Sequence, residues 1–357
     1  MFIKRTCSSK KKHYILFFQA CIYLLHLLSN YTTMKILITG ITGLIGKHLM
    51  YVLLENKYTD IRGHHFTNRN MDAFTANGIE LFQADICDEH AIKDITKDCA
   101  IVVHSAAKVI DYGTKKDFYT AHYDATHFLL KDALQNNVKH FIYVSSVGVA
   151  SGIDRNKIIP NETTPLVKTG VHYDDAKIDT ETLVKDFCTQ HHIFYTIIRP
   201  SAVIGKDSVW VTEPLKRIDT PIGLKLIDNG KQPACLIDAT NLANGIFLCM
   251  TKDIAHNQTY FFMDDWNVSW KQYFTDLAAL KGKKPGGSIP FKVAYVVASI
   301  AELVFPLFGK NPPLAKKSVQ ATGMNRTVST EKARKELGWI SKICYEESMK
   351  RIKESMK

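Results

Sequence analysis

Short apolar runs separated by amphipathic stretches organise most of the chain. Lys35–Thr39 reads KILIT, and strand-like runs recur at Ile61–Phe66, Ile79–Phe82, Ile101–His104, Phe141–Ser145 and Phe194–Ile198. Helical stretches lie between most of them, such as Asp117–Gln135 and Asp175–Gln190. Strands alternating with helices predict an α/β fold with a doubly wound parallel sheet. Such strands are buried on both faces, and the unbroken runs VV, FIYV and YTII have that character. After Arg199-Pro200 the alternation weakens, and Pro214, Pro221 and Pro233 interrupt it. This later half predicts a smaller, mostly helical unit. Phe291–Phe305 is apolar and helix-like, holds Glu302 and ends at Pro306. Its length and internal acid fit a core or lid helix better than a membrane span.

Residues 1–33 stand apart. Lys4, Arg5, Lys10, Lys11 and Lys12 precede an apolar run from Tyr14 to Leu28, and the segment has no acid. The run resembles the apolar part of a signal peptide or a short anchor, yet no small-residue cleavage site follows. Met34 immediately precedes the first strand. The segment therefore reads as an extension from an upstream start rather than an interfacial anchor. Any membrane contact is expected only there, on an otherwise cytoplasmic chain.

The full chain of 357 residues is long enough for one large domain with a smaller one appended. Its net charge is +11, of which the first 33 residues supply +5. A basic balance suits an anionic partner. No zinc-finger or aromatic-basic pattern points to nucleic acid. The eight cysteines include no C-x-x-C pair, so no metal site is expected, and they read as free thiols in a reducing compartment.

Gly40, Gly43 and Gly46 follow the first strand at intervals of three and open a helix. A tight turn at Gly40 and the missing side chain at Gly43 let backbone approach a pyrophosphate. The helix N-terminus then offers free N–H groups and a positive dipole end. Gly46 would allow close packing of helix on strand. This context predicts a dinucleotide site. A phosphate loop of the Walker type is excluded, because Ile41 and His48 stand where Gly and Ser or Thr are needed.

Further motifs follow in order: Ala84-Asp85-Ile86, His104-Ser105-Ala106-Ala107, Tyr143-Val144-Ser145-Ser146, Tyr173-x-x-x-Lys177, Arg199-Pro200-Ser201 and Lys332 to Trp339. With the glycine loop they resemble the extended short-chain dehydrogenases/reductases, over residues 34 to about 340. The nearest branch is that of 3β-hydroxysteroid dehydrogenases and dihydroflavonol reductases. The resemblance implies a Rossmann-type domain over 34–200, a substrate-binding region over 201–340 with segments returning to the sheet, and a charged tail over 341–357.

It also implies a nicotinamide cofactor held by Gly40, Thr42, Gly43, Leu44, Ile45 and Gly46, by Asp85 and Ile86, and by Ser105, Ala106 and Ala107. Lys177, Pro200, Ser201 and Val203 complete that set. The second-strand end, Ile61 to Arg69, has no acid for a ribose hydroxyl, and Arg69 or His65 could meet a 2′-phosphate. NADP is therefore favoured over NAD.

Tyr173 and Lys177 lie four apart and share one helix face. A nearby cation stabilises phenolate, which makes Tyr173 a general acid/base. Two other Tyr-x-x-x-Lys matches, Tyr31/Lys35 and Tyr112/Lys116, fall outside the strand order that this chemistry needs. Strand alternation lets only one of Ser145 and Ser146 face the site. The resemblance favours Ser146 as the group that holds the substrate oxygen. His122 stands where the family commonly has Asn, and reads either as a substitute or as a surface histidine. The expected reaction interconverts a hydroxyl and a carbonyl on a fairly apolar, sterol-like or flavonol-like small molecule; the alternatives are a nucleotide-sugar epimerase or dehydratase and a non-catalytic dinucleotide-binding regulator or assembly protein. Ala202, where epimerases usually place Asn, argues against the sugar reading. Family analogy suggests a homodimer.

Overall fold

The computed structural model describes residues 34–68, 71–109, 112–155 and 157–356. Residues 1–33 and Arg69, and with them the anchor and 2′-phosphate expectations, lie outside the described residues.

The strands are β1 Lys35–Thr39, β2 Ile61–His65, β3 Glu80–Gln83, β4 Cys99–His104, β5 His140–Val144, β6 Phe194–Pro200, β7 Ala202–Ile204, β8 Leu226–Ile227, β9 Leu236–Asp238, β10 Gln258–Phe262 and β11 Ser288–Ile289. The helices are α1 Leu44–Glu55, α2 Met71–Thr75, α3 Lys115–Tyr119, α4 Ala125–Gln135, α5 His172–Gln190, α6 Val209–Ile218, α7 Ala239–Thr251, α8 Trp270–Ala279, α9 Phe291–Val304, α10 Lys316–Gly323, α11 Glu331–Leu337 and α12 Tyr345–Glu354. Seven strands form one parallel sheet in the order β10-β6-β5-β4-β1-β2-β3. The order reverses between β1 and β4. Clefts for ligands open at that switch point, beyond the carboxyl ends of the strands.

Apolar clusters cover both faces of the sheet, one around Ile36, Leu53 and Ile246, the other around Leu37, Leu129 and Phe141. Ile36 and Leu37 are neighbours in β1 and feed opposite clusters, as strand alternation requires. A third cluster around Trp270, Tyr273 and Leu277 belongs to the later half of the chain.

Three expectations are corrected. The stretch 117–135 is not one regular helix, because a π-helical turn at Thr120–Asp124 separates α3 from α4. The Thr126 hydroxyl donates to the His122 carbonyl at 2.5 Å, occupying an acceptor within that turn. The region 341–357 is not a charged tail. Its helix α12 buries Tyr345, Met349 and Ile352, and Ser348 donates to the Asp238 carboxylate at 2.7 Å. Thirdly, of the core and lid placements expected for α9 the core one does not hold: the helix buries Ala294, Ala298 and Ala301, packs Phe291 and Tyr295 partly, and leaves Val293, Val296, Val297, Ile300 and Leu303 outside.

Three sheet histidines are buried and held neutral. Burial lowers His64 to about 4 and His104 and His140 to about 3. Unfolded, each takes a proton near pH 6.5. Their neutral burial therefore costs nothing above pH 6.5 and destabilises the fold as pH falls below it. Between pH 6.5 and 5 the cost is about 2 kcal/mol per histidine. Asp264, raised to about 6 by burial, titrates in the opposite sense. Protonating it in the fold offsets about 1 kcal/mol of that loss. For these four groups together the loss is about 4 kcal/mol, close to the stability of a marginal domain. The melting temperature is expected to fall steeply from pH 6.5 to pH 5. A flat profile over that range would contradict this account.

Candidate active site

The glycine loop joins β1 to α1. Gly40 has φ +68°, and a Cβ there would lie 2.9 Å from the Ala106 Cα. A Cβ on Gly46 would lie 2.6 Å from the Gly40 carbonyl oxygen. Both positions thus exclude side chains for local reasons, one by backbone conformation and contact, the other by contact alone. Gly43 is the N-cap of α1, with no side-chain cap, and no acid occupies the first turn. The first amides of a twelve-residue helix are left for another acceptor.

Side chains brace this loop. The Ser105 hydroxyl donates to the Thr39 carbonyl at 2.7 Å, and the Ala106 N–H donates to the Thr39 hydroxyl at 3.1 Å. His64 Nδ1 accepts from the Gly40 N–H at 3.3 Å, while Nε2 lies 3.1 Å from the Ala84 carbonyl. A neutral ring protonated on Nε2 satisfies both. His64 so ties the loop to the turn that carries Asp85. The Asp85 carboxylate accepts from the Cys87 N–H at 2.9 Å.

One cavity of about 760 Å³ runs from this loop across the strand ends. Gly40, Thr42, Gly43, Leu44, Ile45 and Gly46 line its first part. Asp85 and Ile86 lie on its wall, as do Ser105, Ala106 and Ala107. Ser146, Tyr173, Lys177, Pro200, Ser201 and Val203 line the rest. Apart from His65, every described residue expected at the site therefore lines this cavity. His65 does not line the cavity, although it is buried. The neighbouring His64 does, and its burial and two bonds assign it to bracing rather than phosphate contact.

The two serines separate as strand alternation requires. Ser145 donates to Glu181 Oε1 at 2.6 Å, within a buried pair in which Arg199 Nη2 meets Glu181 Oε2 at 2.6 Å. Ser146 Oγ accepts from the Gly148 N–H at 3.0 Å and caps the short turn Val147–Ala150. The Ser145 hydroxyl is thus committed beneath the site, whereas the Ser146 hydroxyl keeps its own proton free to donate.

Tyr173 and Lys177 come from the first turns of α5. Lys177 is fully buried and donates to the Val144 carbonyl at 2.8 Å. Burial lowers it to about 7, with the Glu181 charge opposing and Lys317 assisting. A group that titrates there suits proton transfer at neutral pH. His122 is not a surface residue. The π-helical turn buries its ring 5.3 Å from that of Tyr173, edge to face. Burial first, then Lys177 and Lys317, keep it neutral, well below its ordinary range. Its Nε2 has no hydrogen-bond partner.

Two cations at this end of the cavity escaped the sequence reading. Lys317, on α10, places Nζ 3.8 Å from the centre of the Tyr173 ring. Arg326 Nη2 lies 3.9 Å from Asp174 Oδ2 and makes no hydrogen bond. Both line the cavity with Asp174. No motif flags them, because only tertiary folding brings residues near 320 onto α5. Close behind them Arg155 is lowered to about 10 by burial and then by Arg326.

The residues present fit a dinucleotide. A cradle that a Cβ would fill, uncapped helix amides and a cavity across the switch point occur together. The fold and this cradle define a chain of the nicotinamide-dinucleotide class. A profile of the NAD dependent epimerase/dehydratase family matches residues 36–262, and the chain belongs to that family. It is similar to a decarboxylating sterol-4-alpha-carboxylate 3-dehydrogenase of Dictyostelium discoideum, with 26% identity over 88% of this chain and 98% of the relative. A 2-alkyl-3-oxoalkanoate reductase of Shewanella oneidensis is 21% identical over 89% of this chain and 85% of its own. Among solved structures, a dTDP-glucose 4,6-dehydratase of Streptomyces venezuelae with NAD bound superposes with a TM-score of 0.73. It is 16% identical and covers 90% of this chain and 96% of its own. The curated relatives carry the names of a dehydrogenase and a reductase, the extended short-chain oxidoreductase class expected from the sequence.

Proposed function

We propose that this chain interconverts a hydroxyl and a carbonyl on a small, largely apolar molecule. The observation that carries this reading is the shared cavity, in which the glycine loop and the Ser146, Tyr173 and Lys177 side chains face one space. A nicotinamide dinucleotide held by the glycine loop would supply or take up the hydride. Tyr173 gives its phenol proton to the oxygen during reduction and takes it back during oxidation. Lys177, close to its own titration point, exchanges that proton onward. Ser146 donates to the same oxygen and steadies its developing charge. NADP is favoured over NAD, because β2 and the described residues after it, 61–68, hold no carboxylate for a ribose hydroxyl.

The substrate we propose carries a carboxylate near the reacting carbon. Lys317 stands over Tyr173 and Arg326 beside the adjacent Asp174, and the two relatives above are named for a carboxylate and an oxoalkanoate. The test is reduced-nicotinamide formation with NADP or NAD and a panel of apolar 3-hydroxy acids beside their methyl esters. Acids are expected to outperform esters. Arg326→Met is expected to lower kcat/KM for the acids by about 10- to 100-fold, the worth of a charge-assisted hydrogen bond, and to leave the esters nearly unchanged. Equal loss on acids and esters would remove the carboxylate. Isomerisation of a nucleotide sugar with no net reduced nicotinamide would replace the whole reading by the epimerase one.

A further inference from the structure

We infer that the outer face of α9 and the turn after it docks on an anionic lipid bilayer, lying in its surface rather than crossing it. The helix's inward side buries Ala294, Ala298 and Ala301; Ala294 and Ala298 cluster with Val319 of α10 and Ile227, and Phe291 and Tyr295 pack partly buried against them. Its outward stripe is Val293, Val296, Val297, Ile300, Leu303 and Leu307. These follow helical spacing and form one continuous face. Leu303, Leu307 and Phe308 are 74%, 78% and 73% exposed. Most of the helix's branched aliphatic residues face outward, so a continuous apolar surface still lacks its cover.

Charge selects the cover. Residues 281–310 contain five lysines and one acid, and two of the lysines, Lys281 and Lys283, pair with Asp219. The acid, Glu302, is paired with Lys316 at 3.2 Å. Lys284, Lys292 and Lys310 are exposed around the apolar face. A second copy of the chain would set lysine against lysine. Residues 1–33 carry only basic charges and would meet the same repulsion. An anionic lipid surface takes the apolar stripe and the lysine rim together. Spanning is ruled out by the fold: the alanine face is already packed on α10, and the Phe291–Phe308 run is interrupted by Glu302 and Pro306. Helix α10 also supplies Lys317 and Ala321 to the cavity wall, so docking sets the cavity one helix away from the lipid. This inference stands independently of the substrate reading.

The experiment is co-sedimentation of the full chain with phosphatidylcholine vesicles, with and without phosphatidylserine. Binding is expected with phosphatidylserine, weakening at high salt. The double variant Leu303→Asp/Leu307→Asp is expected to bind at least about tenfold more weakly. Its melting temperature and dinucleotide binding should stay unchanged, since both side chains face solvent. Undiminished binding by that variant would assign the lipid contact to another part of the chain and overturn the inference. So would absent vesicle binding, or a dimer in solution that the same variant dissociates.

Discussion

Tyr173→Phe is expected to lower kcat by about 10²- to 10⁴-fold, the usual contribution of a positioned acid/base. The substitution removes one oxygen and keeps the ring. The edge-to-face contact with His122 and the Lys317 contact remain. The fold and the dinucleotide cradle, built by other residues, should be intact. Dinucleotide affinity and melting temperature are therefore expected to match the parent chain while turnover collapses. Steady-state kinetics with cofactor titration separate the two. Turnover within about threefold of the parent would rule out Tyr173 as the proton donor, given the size of that usual contribution.

Glu181→Ala is expected to cost about 3–5 kcal/mol of stability. Glu181 and Arg199 are each 1% exposed and held by the 2.6 Å contact. Removing the carboxylate leaves the guanidinium buried without its counter-charge and the Ser145 hydroxyl without its acceptor. The melting temperature should fall by on the order of 10 °C for a chain of this size. Glu181→Leu combined with Arg199→Met should recover much of the loss, because an apolar pair leaves no buried charge unpaired. A single variant that melts within about 1 °C of the parent would show that the pair carries little, as a neutral surface change does. The pair lies directly beneath the serine strand, so its loss should also disturb Ser146 and reduce activity.

The legible part of this protein is the part written in local spacing. Gly40 and Gly46 are fixed by a positive φ and by backbone contact within a few residues, and sequence spacing carries that directly. Tyr173 and Lys177 share a helix face, so four-residue spacing suffices to bring them together. Between Ser145 and Ser146 alternation allows only one to face the cavity, but the Glu181 bond that fixes Ser145 comes from a distant helix. His64, Lys317 and Arg326 are illegible for the same reason: their partners are brought to them by the sheet and by the packing of residues 316–326 on α5. Helix α12 was hidden by composition. Its apolar positions 345, 349 and 352 have helical spacing, but charged neighbours outnumber them. In α9 the difficulty is the reverse. Apolar residues occupy most of its surface, and periodicity alone does not say which stripe meets the protein.

The central claim is that this cavity passes a hydride between dinucleotide and substrate with net change in both. Its most direct test is transfer of label from nicotinamide deuterated at C4. The purified full chain would be given labelled NADPH, or labelled NADH, with an apolar 3-oxo acid. One deuterium on the former carbonyl carbon of the product, with matching loss from the cofactor, is the predicted result. Label kept entirely on the cofactor, whether the chain only binds it or returns every hydride to the same sugar, would contradict the account.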